Sequence, residues 1–387
     1  MRRVYLDHTA TTPVDPAVVE AMRPFFSGRF GNASSIHHFG REARAALDES
    51  RDTLAGRIGA QSGEIFFVSG GTEADNFALK GAAMTMLGRG KNHIITGRSE
   101  HHAILETCGF LEQHGFVVTY LPVDEFGRTS VCDVRDAIRA ETGLISIMHA
   151  NNEVGTINPV ADIARVAKES GVVMHSDAVQ SFGKIPVDVD ALGVDLLSLS
   201  AHKIYGPKGI GALYIRRGVA IERFIHGGGQ ERGRRAGTEN VPLAVGFAEA
   251  ALLVHRRLEA DQKRLGELKE RLRSELRERF PWILFNGDPA VALPHILNVS
   301  FDSRRIGIDG EALLFNLDLA GIAVTSGSAC TSGSMEPSHV LLAMGRDADT
   351  AKATIRFSTG HSTTDDDIVY TVGVLTDIVR RLGKVLC

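Results

Sequence analysis

The sequence predicts an α/β protein in which a large domain, built on a mainly parallel seven-stranded sheet, stands beside a smaller α+β domain. Three observations carry this. Between about residues 64 and 214, short β-branched runs alternate with amphipathic helical stretches, the rhythm of parallel strands joined by helical crossovers. Residues 241–280 then read as one long helix rich in Arg, Lys and Glu, suited to connecting two units. After Pro281 strand and helix signals restart in a different order. At 387 residues the chain also exceeds what one hydrophobic core usually serves. We assign residues 16–258 to the large domain, and residues 1–15 with 259–387 to the small one.

Taken in order, the seven strand candidates are EIFFVS, HIIT, FVVTYL, LISIMH, VVMHSD, LLSLS and GALYI. The long helix carries Leu252, Leu258, Leu265, Leu268 and Leu272 near helical spacing. The smaller unit offers ILNVSF, a helix around 311–319, IAVTS, TIRFS and a final helix from Thr364. No internal repeat interrupts this order, which favours one composite site over an array of modules.

Composition narrows the class. A 43% hydrophobic and 23% charged chain is that of an ordinary globular protein, neither disordered nor fibrous. A net charge of −4 supplies no basic field for nucleic acid or an anionic membrane. No apolar run approaches the roughly 20 residues needed to span a bilayer, and MRRVYLDHTATTPVD lacks a signal-peptide core. The four cysteines form no CxxC pair, arguing against a disulfide framework or structural zinc. A cytoplasmic protein working on small molecules, with no direct nucleic acid or membrane partner, is the expectation.

In open α/β sheets, ligands gather at the carboxyl ends of strands, so the residues just after each apolar run matter most. SLSAHKIYGPKG places Lys203 there, after Ser200 and His202. Most lysines are solvated surface charges, but an amine in this position can form a Schiff base, with the serine and histidine beside it able to bind an anion. HSDAVQS places Asp177 past another strand, where it reads equally as a helix N-cap or as the partner of a pyridinium nitrogen. Gln180 can donate to a phenolic oxygen on the same ring. SGGTEADN opens a helix at Gly71 and Thr72, a phosphate cradle or a tight turn.

SEHHAI carries His101 and His102. An imidazole there can stack on a cofactor ring and move protons, and His101 is our choice. Glu100 beside the pair suggests a metal, yet HExxH is absent and no stable metal site is expected. Asn151 and Asn152 follow the next strand, as cofactor or carboxylate ligands or as an Asx turn. Cys330 lies among serines, threonines and glycines, an exposed nucleophile or a small buried hydrophobe. Arg356 in TIRFS is a candidate carboxylate clamp, though strand arginines are more often at the surface.

These segments, with YLDHTATTPVD, FGNASSIH, ANNEVGT, HGGGQERGRRAGTEN and GSACTSGSMEPSHV, follow one another as they do in a known family: from end to end the chain resembles the cysteine desulfurases of the nitrogen-fixation and housekeeping iron–sulfur class. The resemblance implies the fold type I, aminotransferase-like architecture of enzymes that depend on pyridoxal 5′-phosphate (PLP), and a homodimer. It implies PLP on Lys203, with Asp177 at the pyridine nitrogen, Gln180 at the phenolic oxygen and His101 over the ring. Gly71, Thr72, Ser200 and His202 would hold the phosphate, joined by Thr238 from the neighbouring subunit. L-cysteine would be bound through Asn152 and Arg356, with Asn152 also touching the cofactor, and converted to L-alanine. Cys330 would take the sulfur as a persulfide for an iron–sulfur scaffold or another acceptor, and can act as a transient iron–sulfur ligand. Two positions depart from the family pattern: Ala33 stands for a common proline, and His361 for a frequent arginine.

Overall fold

The computed structural model describes residues 2–327 and 336–385. Strand β1 (Val4–Tyr5) opens the chain, followed by the seven strands of the main sheet: β2 (Ile65–Val68), β3 (His93–Gly97), β4 (Val117–Leu121), β5 (Thr142–Ser146), β6 (Val173–Asp177), β7 (Leu196–Ser200) and β8 (Gly211–Ile215). Their order across the sheet is β2-β8-β7-β6-β5-β3-β4. β8 alone is reversed, antiparallel to both β2 and β7, while the remaining pairings are parallel, so the sheet is mainly parallel, as the alternating sequence implied.

Helices cover both faces, which is why the strands read as nearly unbroken apolar runs. One face buries residues such as Ile95, Ile145, Leu197 and Tyr214; the other buries Phe66, Ile94, Leu144 and Leu213. Edge strand β4 is half-exposed for most of its length and loses that pattern. Helix Gly71–Leu87 forms the first crossover, leading from β2 to β3.

Past this sheet, helix Val241–Arg279 begins at an Asn240 cap with proline in its first turn. Its first half joins the large core through Ala244, Phe247, Ala251 and Val254. Its second half joins another core through Leu265, Leu268, Leu272 and Leu276. Of the five leucines expected on the buried stripe, Leu252 and Leu258 are only half-buried. Small residues take their place, since this part of the helix packs closely on helix His38–Arg57.

The second core lies around β9 (Ile283–Asn286), β10 (Ile296–Phe301) and β13 (Thr354–Ser358), ordered β13-β10-β9 and antiparallel. Two small pairings complete it: β11 (Ile306–Gly307) with β14 (Lys384–Val385), and β12 (Ile322–Ala323) with β1. The expected strand IAVTS is thus shorter than its sequence suggests, because beyond Ala323 it makes only an isolated bridge from Thr325 to Arg356. Helix Asp365–Leu382 starts in a capping box between Thr364 and Asp367, with three aspartates favouring its N-terminal dipole. Among the described residues, no helix is long and apolar enough to cross a membrane.

Candidate active site

At the carboxyl ends of the parallel strands the chain lines a cavity of about 400 Å³. Gly71 and Thr72 enter it after β2, His101 after β3, and Asn152 after β5. Asp177 ends β6 with Gln180 just beyond; Ser200 ends β7, and His202 and Lys203 follow directly. Arg356 closes the cavity from β13.

Lys203 ends a short 3₁₀ turn. Its Nζ donates to the carbonyl oxygens of Thr9 at 2.6 Å and Ala10 at 2.8 Å. Burial, helped by Arg356, lowers its pKa to about 8, while Asp177 and Asp7 pull the other way. An amine so placed exists partly as the free base near neutral pH, as a nucleophile requires.

Asp177 is 7% exposed, and its Oδ1 accepts from the Val179 N–H at 2.8 Å. Burial raises its carboxyl to about 6 against that hydrogen bond and the Lys203 charge. A cation in the cavity would repay this desolvation. The capping contact and the cavity-facing role therefore coexist in one side chain. Behind it, Asp75 and Glu100 are each 1% exposed, and burial together with Asp177 pushes both well above the carboxylate range. Glu100 turns inward to accept the Met148 N–H at 2.8 Å, away from any metal arrangement with the adjacent histidines. Among the described residues no group of three or more His, Cys, Asp or Glu side chains is placed to hold a metal ion.

Three features suit this end of the cavity to an anion. Helix Gly71–Leu87 starts without a side-chain cap, leaving backbone N–H groups and the positive end of its dipole available. Ser200 Oγ is buried without a hydrogen-bond partner, an arrangement that native proteins rarely tolerate without a ligand or water. A Cβ on Gly71 would fall 2.8 Å from Val179 Cγ2, so only glycine leaves that space open. His202 hydrogen-bonds Thr11 Oγ1 at 3.1 Å through Nδ1. Burial and the charges of Lys203 and Lys208 bring its pKa down to about 4, leaving a neutral donor.

His101 caps helix His102–Glu112, its Nδ1 accepting the Ala103 N–H at 3.1 Å. In the neutral ring this places the proton on Nε2. Although the residue as a whole is exposed at the cavity mouth, desolvation of its ring, then Lys203 and two neighbouring histidines, lower its pKa to about 4. Arg356 is buried, contrary to the surface alternative. Its guanidinium bonds Asp7 Oδ1 at 2.9 Å and the Asn152 carbonyl at 3.0 Å. Gln180 Nε2 donates to Thr9 O at 3.1 Å. The two asparagines part company: Asn152 lines the cavity, whereas Asn151 Oδ1 accepts the N–H groups of Glu153 and Val154 in an Asx turn.

Two expected site residues are not in this constellation. Thr238 lines a separate cavity of about 210 Å³ with Arg235 and Glu239. Cys330 lies outside the described residues; Thr325 and Gly327, which precede it, line the Lys203 cavity. Thr9 and Ala10 also line the cavity and act through backbone oxygens that leave no signal in the sequence, and the one mark of Asp75 is its place in the helix opening at Gly71.

The family description aminotransferase class-V matches residues 4–370. The chain is 51% identical over 384 residues to the cysteine desulfurase IscS of Dictyoglomus turgidum, covering 99% of this chain and 96% of that one. The chain belongs to the cysteine desulfurases of the class-V aminotransferase family. Among solved structures, a NifS-like protein aligns with TM-score 0.91 at 40% identity, over 98% of this chain and 100% of its own. A second, described as SspA in complex with cysteine, gives 0.80 at 40% identity, over 92% and 98%. Cysteine desulfurases depend on PLP, and the cavity fits it: an amine for its aldehyde, a buried carboxylate for its ring nitrogen, and an unpartnered hydroxyl at an uncapped helix end for its phosphate.

Proposed function

We propose that this protein releases sulfur from L-cysteine, forming L-alanine and a persulfide on Cys330. The single observation that carries the reading is the half-buried Lys203 amine sharing one cavity with Asp177, Ser200 and Gly71. Bound PLP supplies an electron sink for the pair left when the substrate loses its α-proton. Lys203 would hold the cofactor, and its amine, when free, would move that proton. Asp177 would keep the ring nitrogen protonated, Gln180 and Asn152 would orient the ring, and His101 would offer its Nε2–H as a donor. Gly71, Thr72, Ser200 and His202 would hold the phosphate.

Arg356 offers a guanidinium for the substrate carboxylate, with Asn152 beside it. The Cys330 thiolate attacks the substrate sulfur; an S–S bond forms as the C–S bond breaks, and the carbon is protonated to give alanine. The chain on either side of Cys330, poor in bulky residues, suits delivery of that sulfur to an iron–sulfur scaffold or another acceptor protein.

A homodimer belongs to the same reading. Ile36 is 91% exposed, and Phe26, Phe30 and Phe39 are exposed near it in sequence, an apolar concentration expected of a covered surface. Thr238, held outside the Lys203 cavity of its own chain, would reach the phosphate of the second copy. The division into residues 16–258 and residues 1–15 with 259–387 is supported by the separate cores on the two halves of the long helix. A cytoplasmic setting is part of the proposal.

The test is direct. With L-cysteine and a reductant, the yellow purified protein should release alanine and sulfide in equal amounts. Cys330→Ser should keep its colour and lose sulfide release, and Lys203→Ala should lose turnover. Full sulfide production by Cys330→Ser would sink the persulfide route.

A further inference from the structure

Tyr205, two residues past Lys203, has φ of 65°. For a bulky aromatic residue this left-handed backbone is an outlier that persists only when its surroundings over-determine it. Five contacts do so. Its N–H donates to Thr12 Oγ1 at 2.7 Å, and its carbonyl accepts the Asp15 N–H at 2.9 Å. Its hydroxyl accepts the His361 N–H at 3.0 Å. Its ring stacks on that of His361 with centroids 3.8 Å apart and planes 11° apart. The Lys184 ammonium lies 4.8 Å from its centroid, within cation–π range.

His361 is fixed in turn from the long helix. Its Nε2 bonds Asp261 Oδ2 at 2.7 Å, and Arg264 donates to the carbonyls of Gly360, His361 and Thr363. The stack therefore joins the loop after β13 to the turn that follows Lys203. Neither Tyr205 nor His361 lines the Lys203 cavity. Whatever they do for the amine, they do through its backbone.

We propose that Tyr205 and His361 are positioning residues for Lys203: their stack holds the left-handed turn that aims the amine into the cavity. This rests on the reading of Lys203 as the PLP-binding amine. The charged and titratable groups around Lys203 are Arg356 and Asp7, reached from β13 and the N-terminal segment, with Asp177, His101 and His202. Those around the stack are Lys184, Asp261, Arg257, Arg264 and His8. Substituting His361 or Tyr205 removes none of these. If the turn relaxes, Nζ leaves the Thr9 and Ala10 carbonyls and moves toward water, undoing the desolvation that lowers its pKa.

The experiment follows PLP capture by the apoprotein across pH 6 to 10, read from the visible absorption of the loaded protein, beside its melting temperature. His361→Ala should raise the pH midpoint of capture by about one unit, slowing capture at pH 7 about tenfold. Tyr205→Gly adopts the backbone freely but has no ring, and should shift in the same direction. His361→Phe keeps a ring on Tyr205 and should stay within about twofold of the unmodified protein. A wild-type midpoint and rate in either His361→Ala or Tyr205→Gly, with only the melting temperature lowered, overturns the proposal. Borohydride reduction that fixes the cofactor to Lys203→Ala as fully as to the unmodified protein instead overturns the underlying assignment of Lys203, a failure distinct from the first.

Discussion

Replacing Gly71 by alanine should separate stability from cofactor binding. Gly71 is the first residue of helix Gly71–Leu87 and its φ is not positive, so alanine is conformationally acceptable there. Helix propensity alone would favour it by up to about 1 kcal/mol. The added Cβ, however, meets Val179 Cγ2 at 2.8 Å and Ser200 Cβ at 3.7 Å, both on residues that line the cavity. Valine is stiff about χ1, so either Val179 turns or the helix start withdraws from the phosphate position. Withdrawal that breaks one charge-assisted hydrogen bond costs about 1.5–3 kcal/mol, a loss of roughly 10- to 150-fold in affinity.

The assay is equilibrium binding of PLP to the apoprotein by absorbance, alongside thermal melting of the apo form. The expected result is weaker PLP binding with an apo melting temperature little changed. Gly71→Ala combined with Val179→Ala should regain most of the affinity, because the obstructing methyl is gone. A single variant that binds PLP within twofold of the unmodified protein would refute the cradle argument.

Further outcomes follow from the same site. Burial raises Asp177 to about 6 from the usual 3.8, so the folded apoprotein holds a proton the unfolded chain releases, and stability falls as pH rises through that window. Asp177→Asn should therefore melt higher than the unmodified apoprotein above pH 6, with the gap closing toward pH 4, while PLP binding weakens; a lower melting temperature at pH 7.5 counts against this. PLP capture should accelerate as pH climbs through about 8, where Lys203 loses its proton. Arg356→Gln should move that midpoint upward, since it removes a repelling charge and frees the Asp7 carboxylate; a downward move in the rate profile would contradict the electrostatics. At the sheet edge, Arg51 is 3% exposed and bonds both carboxylate oxygens of Glu231 at 2.7 and 2.8 Å. Glu231→Ala leaves that guanidinium buried and unpaired at a cost of about 3–5 kcal/mol. Urea titration should show the loss, and adding Arg51→Met should recover much of it.

Much of the site was legible because its chemistry is local to strand ends. A strand that stops at an apolar boundary and gives way to a helix names its own candidate residues, and Gly71, Asp177, Ser200 and Lys203 all stand at such junctions. Arg356 was legible in type but not in burial. TIRFS looks like any short strand, and only its pairing with β10 and the contact with Asp7 turn the guanidinium inward. Asn151 and Asn152 are chemically identical in sequence; the backbone turn alone decides which one faces the cavity.

The sequence by itself determined the mainly parallel sheet, the long bridging helix and the amine, carboxylate and hydroxyl that a PLP site needs, since these follow from periodicity and side-chain type over short spans. Tertiary structure decided what crosses the chain. The Thr9 and Ala10 carbonyls that receive Lys203 come from more than 190 positions away, and backbone oxygens leave no mark on composition. The stack of His361 on Tyr205, the burial of Asp75 and Glu100 against Asp177, and the separation of Thr238 from the Lys203 cavity are likewise products of packing. The reason is physical: side-chain chemistry is written residue by residue, whereas desolvation, alignment and reach exist only once distant segments share a core.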